Sequence, residues 1–232
     1  MELINLNGKN YGQNFGFINY RAKVSKFKQL KFEKFPNDRT IVMVDGNFVK
    51  LIDFRDENFI KNHMTLNAND IVFHSNGSQH ILDILVENMG REDHAGGKSP
   101  LNHRKGINGK VFIDNHDLTN WKIYPLEFKK DFVKNLSNAH WKSCKSNLVP
   151  SIHKGSLIIK DKPKDTFLKF DHWTKGNIFV NGFNVGRYWN IGPQKTLYIP
   201  WPLLNTGNND MYLFETEKGF KTIRFTDKPN LG

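Results

Sequence analysis

Nine histidines, one cysteine and a scatter of acidic residues are the side chains able by type to do chemistry here. Their spacing supports little of it. No His-x-His or His-Glu-x-x-His pair occurs, and a single thiol cannot build a thiolate site, so no metal and no other cofactor is expected. His140 and Cys144 are four apart and would share a helical face. A Cys-His nucleophile also needs a third group and a cleft, which the surrounding Lys- and Ser-rich run does not offer. Gly96-Gly97 reads as a loop tip. Glu87, in "VENMGR", is the most tempting acid. It sits in a strand pattern, where pairing with Arg91 or capping a turn is the better reading. The aromatic chemistry is richer. In "FVNGFNVGRYWNIGPQKTLYIP" (179–200), Tyr188 and Trp189 offer large faces for core packing or for stacking on a sugar. Nothing in that stretch is a nucleophile, a metal ligand or an acid-base pair, so it reads first as a device of shape.

The elements that must hold these residues are short strands. "GFINYRAKV", "QLKFEKF", "TIVMVDG", "ILDILVEN", "KVFID", "TFLKF", "NIFVNG", "TLYIP" and "DMYLFET" alternate apolar and polar residues between Gly, Asn, Asp or Pro. Helical spacing is weak; 126–141 is the one candidate and reads as a loop with at most a short helix. Asp45-Gly46 and Asn181-Gly182 suit type I′ hairpins, which need positive φ at both central residues. Gly186 lets the chain turn tightly, and Arg187 is placed to pair with a carboxylate or carbonyls.

The chain also repeats itself. "QLKFEKFPNDRTIVMVDGNFV" (29–49) lies over "TFLKFDHWTKGNIFVNGFNV" (166–185), with Gly46 and Gly182 136 residues apart. "LDILVEN" and "MYLFETE" follow at similar positions. Two related β-domains in tandem explain this. The expected architecture is all-β: two tandem jelly-roll or β-sandwich domains at 1–128 and 151–232, joined by a linker at 129–150.

The net charge is +11, from 34 Lys plus Arg against 23 Asp plus Glu. Lys greatly outnumbers Arg and Asn is abundant, a bias in composition. The basic residues are scattered and no recognition motif accompanies them, so no nucleic acid is expected as partner. No run of about 18 apolar residues exists, so no membrane span is expected. Met1 to Asn10 lacks a basic start followed by an apolar core, and one cysteine makes no internal disulfide. The reading is cytoplasmic.

Several motifs in order then resemble one family. "NYGQNFGFINYRAKV" (10–24), "LDILVENMGR" (82–91), "RKGI" (104–107), "WKIYPLEF" (121–128) and "WTKGNIFVNGFNVGRYWNIGPQKTLYIP" (173–200) are similar to the C-terminal half of family 35 β-galactosidases. The resemblance implies two jelly-roll-like, galactose-binding-domain-like domains that follow a catalytic barrel. It implies retaining hydrolysis of terminal β-galactosyl bonds by two glutamates, about 5–5.5 Å apart in such chemistry. A (β/α)8 barrel takes roughly 250 residues, so these residues leave no room for one. No catalytic residue is carried over, and the chain alone is expected to be inactive. Its expected partners are the barrel portion of the same enzyme, if encoded separately, and galactosides. After "ENMGR" the family usually runs through an apolar residue to Asn-Tyr-Gly, in a loop that can face the barrel mouth. Here Glu92, Asp93, His94 and Ala95 follow. His94, Tyr188 and Trp189 are the candidate substrate contacts. Asp45, Gly46, Glu87, Asn88, Arg91, Asn181, Gly182, Gly186 and Arg187 are the candidate structural motif. The rival reading is a stand-alone carbohydrate-binding module with Trp173, Trp189, Trp201 and Tyr188 as an aromatic platform.

Overall fold

The computed structural model describes residues 3–6, 9–13, 15–53, 55–73, 76–90, 104–143, 150–219 and 222–232. The chain divides into two compact units, Met1–Glu127 and Phe128–Gly232. Among the described residues no helix is long and apolar enough to cross a membrane.

The first unit runs β1 (Leu3–Leu6), β2 (Lys9–Gly12), β3 (Gly16–Val24), β4 (Gln29–Phe32), β5 (Arg39–Val44), β6 (Asn47–Ile52), α1 (Glu57–Lys61), β7 (Thr65–Asn67), β8 (His80–Asn88), β9 (Val111–Ile113), β10 (His116–Asp117) and β11 (Lys122–Leu126). β1 and β2 form a hairpin. The rest makes two antiparallel sheets, ordered β11-β3-β8-β5-β6 and β10-β9-β4-β7. Period-2 alternation sets the faces. On β3, Ile18, Tyr20, Ala22 and Val24 point into the core while Asn19, Arg21 and Lys23 point away. On β8, Leu82, Ile84 and Val86 meet them, and Leu30, Phe32, Leu66 and Val111 close the core from the second sheet.

The second unit runs α2 (Lys130–Leu136), β12 (Ser151–Ile159), β13 (Thr166–Lys169), β14 (Lys175–Val180), β15 (Phe183–Trp189), β16 (Thr196–Ile199), β17 (Gly207–Glu215) and β18 (Arg224–Thr226), with one 3-10 turn at Trp201–Leu203. Its sheets are β12-β17-β14-β15 and β16-β13-β18. Leu168, Ile178, Val180, Ile199, Met211 and Leu213 fill the space between them.

The internal repeat extends to topology and register. The order β3-β8-β5-β6 recurs as β12-β17-β14-β15, and β9-β4-β7 recurs as β18-β13-β16. Each central hairpin carries its irregularity at the same step, Val42/Met43 and Ile178/Phe179. Both hairpin turns hold positive φ at two residues, Asp45 and Gly46 in one and Asn181 and Gly182 in the other, as type I′ geometry requires.

The 129–150 stretch, expected as a linker, is described to residue 143, and there it packs on the second unit. Phe128 is buried with its ring 5.2 Å from those of Phe179, Phe214 and Phe132. Val133 and Leu136 of α2 are buried, and Trp141 stacks on Tyr212 at 5.6 Å. Apolar residues at 132, 133 and 136 give one helical face, so the segment covers the side of β14 and β17 that faces away from the core.

Candidate functional site

In the first unit the family-like motifs converge on Asp38. Glu87 lies opposite Arg39 in the β5–β8 ladder, and its carbonyl accepts the Asp38 N–H at 3.0 Å. Asp38 Oδ2 accepts the Met89 N–H at 2.7 Å, and Oδ1 lies 2.5 Å from Lys105 Nζ. The Lys105 side chain is wholly buried. Asn37 and Gly106 exchange two backbone hydrogen bonds, and the Asn37 side-chain amide donates to the Arg104 carbonyl at 3.3 Å. One carboxylate therefore fastens "ENMG" to "RKGI", the two ends of the 91–103 segment. Breaking a buried pair from one side costs about 3–5 kcal/mol, because a charge stays behind without its counterpart. Glu87 and Asn88 are both buried, and Asn88 Oδ1 accepts the Gly90 N–H at 3.0 Å. Arg91 and His94 lie outside the described residues. Sequence reading passed over Asp38, which is 67 residues from Lys105 and resembles any turn aspartate.

The hairpin turns are fastened the same way in both units. Asp45 Oδ2 lies 2.7 Å from His80 Nδ1, and its Oδ1 accepts the Ile81 N–H at 2.8 Å. Asn181 donates to Asn209 Oδ1 at 2.7 Å, and its Oδ1 accepts the Asp210 N–H at 3.0 Å. His80 and Ile81 occupy on β8 the positions that Asn209 and Asp210 occupy on β17. These residues do structural work, joining each turn to the neighbouring strand.

In the second unit the buried carboxylate of Glu215 is the centre. It accepts from Thr174 N at 3.0 Å, Lys175 N at 3.2 Å, Glu217 N at 2.7 Å and the Tyr188 hydroxyl at 2.9 Å. Burial pushes the Glu215 carboxyl up, and the four donors only partly offset that. Burial, and then the Glu215 charge, push the Tyr188 phenol far above its ordinary value. Tyr188 is a core residue, its ring stacked on Phe170 at 4.2 Å. Lys175 is buried with Nζ 4.4 Å from the Trp189 ring centroid. Gly186 has φ +142°, and Arg187 is exposed on β15. Gly176 is where close approach decides the residue: a Cβ there would sit 1.7 Å from the Phe214 carbonyl oxygen and 2.8 Å from the Tyr188 hydroxyl.

The four aromatics considered as a platform are not one. Trp173 is buried and its indole N–H donates to the Thr222 carbonyl at 2.8 Å. Tyr188 is in the core, and Trp189 is half-buried beside Lys175. Trp201 alone of the four is strongly exposed, at 52%. Among the described residues no three His, Cys, Asp or Glu side chains gather as a metal site.

What the arrangement can do is hold loops and strand ends in place. The family model "Beta-galactosidase, first all-beta domain" matches residues 6–127, and "Beta-galactosidase, galactose-binding domain" matches residues 150–209. Human beta-galactosidase-1-like protein 2 is 36% identical over 233 residues, covering 100% of this chain and 34% of that protein. Human beta-galactosidase-1-like protein 3 is 35% identical over 221 residues, covering 95% of this chain and 31% of that protein. Bos taurus beta-galactosidase is 36% identical over 176 residues, 64% of this chain and 26% of that protein. The chain thus spans about a third of the length of the human relatives, 34% and 31%. With its first unit matched almost end to end and the second domain following in order, the chain belongs to the β-galactosidase family.

Proposed function

We propose that the chain is the non-catalytic portion of a β-galactosidase, buttressing a catalytic barrel supplied by other residues and helping to shape its active-site mouth. The observation that carries this reading is the ordered match of two β-galactosidase domain models onto the two units. The Asp38–Lys105 clamp supports the mouth-shaping part. It fixes residues on either side of the segment that, in the family this chain resembles, can face the barrel mouth. The complete enzyme would hydrolyse terminal β-galactosides, with both catalytic glutamates in the barrel.

The test is complementation. The full chain is mixed with the barrel portion of a full-length relative, and hydrolysis of a chromogenic β-galactoside is followed. The chain alone should give no turnover, and the associated halves should give activity that neither half shows. Turnover by the isolated chain, or two halves that associate with no gain in rate, would overturn the reading.

A further inference from the structure

The two sheets that carry the repeat end differently. In the first unit β3 is paired on both edges, to β8 and to β11, which runs along Phe17–Arg21. Its equivalent in the second unit, β12, pairs with β17 alone among the described residues. Five of the nine β3 residues are buried, and none of the nine in β12. Ile158 of β12 is 71% exposed.

An open strand edge presents a row of N–H and C=O groups, and natural proteins guard such edges with proline, charge or a bulge. The far edge of the same sheet is guarded. There β15 has a register shift against β14 at Ile178/Phe179, and it carries Gly186 at φ +142° and exposed Arg187. β12 lacks such devices. Its nine pairs with β17 run from Ser151–Glu215 to Ile159–Gly207 without a shift. It holds no proline and one lysine, Lys154. Gly155, at its centre, has no atom within 4 Å of where a Cβ would stand. A second backbone can approach closely there.

We propose that β12 is a homodimer interface: the β12 edges of two copies pair antiparallel across a two-fold axis at Gly155, so that one sheet runs through both second units. A two-fold contact needs a strand that complements its own reverse, and β12 does so. With Gly155 opposite Gly155, Ile152 meets Ile158 and Lys154 meets Ser156, and symmetry makes each pair twice. These four residues share the face away from the core, since Leu157 and Ile159 between and beside them pack inward. Moving the axis one residue towards the N-terminus would set Lys154 against itself, and like charges directly opposite are unfavourable. The order of residues therefore selects one register. This contact does not depend on the proposed role beside a barrel.

The experiment follows sedimentation of the full chain from about 1 to about 300 μM at about 0.15 M salt. There a Debye length of about 8 Å screens the net +11 on each copy but not side chains directly opposite one another. A strand edge is smaller than a standard interface, so a reversible dimer is expected with Kd on the order of 10 μM. Hydrogen exchange on the same samples should show alternate β12 amides gaining protection as concentration rises, because alternate N–H groups of an edge strand face outward. The decisive variants are at exposed Ser156, which would face the partner's Lys154 and which faces Asp210 within its own chain. Ser156→Lys should weaken the dimer and Ser156→Glu should tighten it, each by about threefold to tenfold, because symmetry installs the new pair twice. Within one chain the signs are reversed, since lysine opposite Asp210 is favourable and glutamate is not. A change in monomer stability therefore cannot imitate the result. A chain that stays monomeric over the whole range overturns the proposal. So does a dimer whose β12 amides exchange as freely as the monomer's, or one that both variants shift in the same direction. None of these outcomes bears on barrel complementation.

Discussion

The two domains solve one problem from opposite strands. In each, the start of a central strand must be tied to the end of its neighbour. In the first unit the carboxylate comes from Asp38, just before β5, and reaches Met89 N and Lys105. In the second it comes from Glu215, at the end of β17, and reaches back to Thr174 N and Lys175 N. Thr174 stands where Asp38 stands, so the same joint is held by the other partner. Two neighbouring contacts follow the same logic. Arg39 lies 3.8 Å from Asp53 in the first unit, and the equivalent Lys175 faces Trp189 in the second. Arg21 pairs with Asp83 at 2.7 Å, and the equivalent Lys154 lies 5.8 Å from the ring centroid of Tyr212. A cation is kept at both places while its carboxylate becomes an aromatic ring. Topology, bulge and turn have been retained, and the polar solution has been rewritten around them.

The sharpest way to break the equivalence is Gly176→Ala. Thr40 holds this position in the first unit, with Ile52 on the neighbouring strand. In the second unit Tyr188 stands in place of Ile52, and its hydroxyl occupies the space of the missing side chain. The added methyl should cost the second unit more than about 4 kcal/mol, by overpacking against a backbone carbonyl that cannot rotate away. Hydrogen exchange resolved by domain should show β14 and β17 opening while β5 and β8 keep their protection. Asp38→Asn should come next, at about 3–5 kcal/mol, since buried Lys105 loses this counter-charge. The loss should fall on the first unit. Adding Lys105→Met should recover part of it, which urea melts of the three variants would measure.

Acid separates the units further, with opposite signs. Burial raises Glu215, so the folded second unit holds that proton more tightly than the unfolded chain does. Its contribution therefore falls as pH rises from the ordinary carboxylate range through the folded pKa, and grows on acidification. Asp53 shifts the other way. Burial pushes it up, but hydrogen bonds from the Arg55 side chain and backbone and the charges of Arg55 and Arg39 carry it below its usual value. Its contribution is complete above the unfolded pKa and is lost as pH falls through the folded one. Stability measured from about pH 3 to 7 should show Glu215→Gln flattening the first slope and Asp53→Asn the second. Matching slopes for both variants would refute the contrast.

Much of the fold was legible because it is written locally. Alternation placed Ile18, Tyr20 and Ala22 on one face, and Asp-Gly and Asn-Gly announced two hairpins. The 136-residue repeat announced two domains of one topology. What escaped was decided at a distance. Alternation carries Glu215 inward, yet a glutamate at a strand end reads as solvated until its four donors are in view. Helix α2 has few turns of its own and owes its place to the rings beneath it. Tyr188 and Tyr198 look alike in sequence, ten residues apart and each in a short strand. One is stacked in the core and the other stands on the outer face.

The smallest effects test whether hydroxyls matter by burial or by partner. Tyr188 and Tyr212 are both buried and both lie next to β14. The Tyr188 hydroxyl donates to a carboxylate at 2.9 Å. The Tyr212 hydroxyl is buried without a hydrogen-bond partner among the described residues. Tyr188→Phe should therefore cost about 1.5–3 kcal/mol, the range for a hydrogen bond to a charged group. Tyr212→Phe should be neutral or stabilising within about 0.5 kcal/mol, because it removes a desolvated hydroxyl that gains nothing in the fold. Denaturant midpoints of the two variants decide the point, and equal losses would mean that ring burial alone governs this sheet.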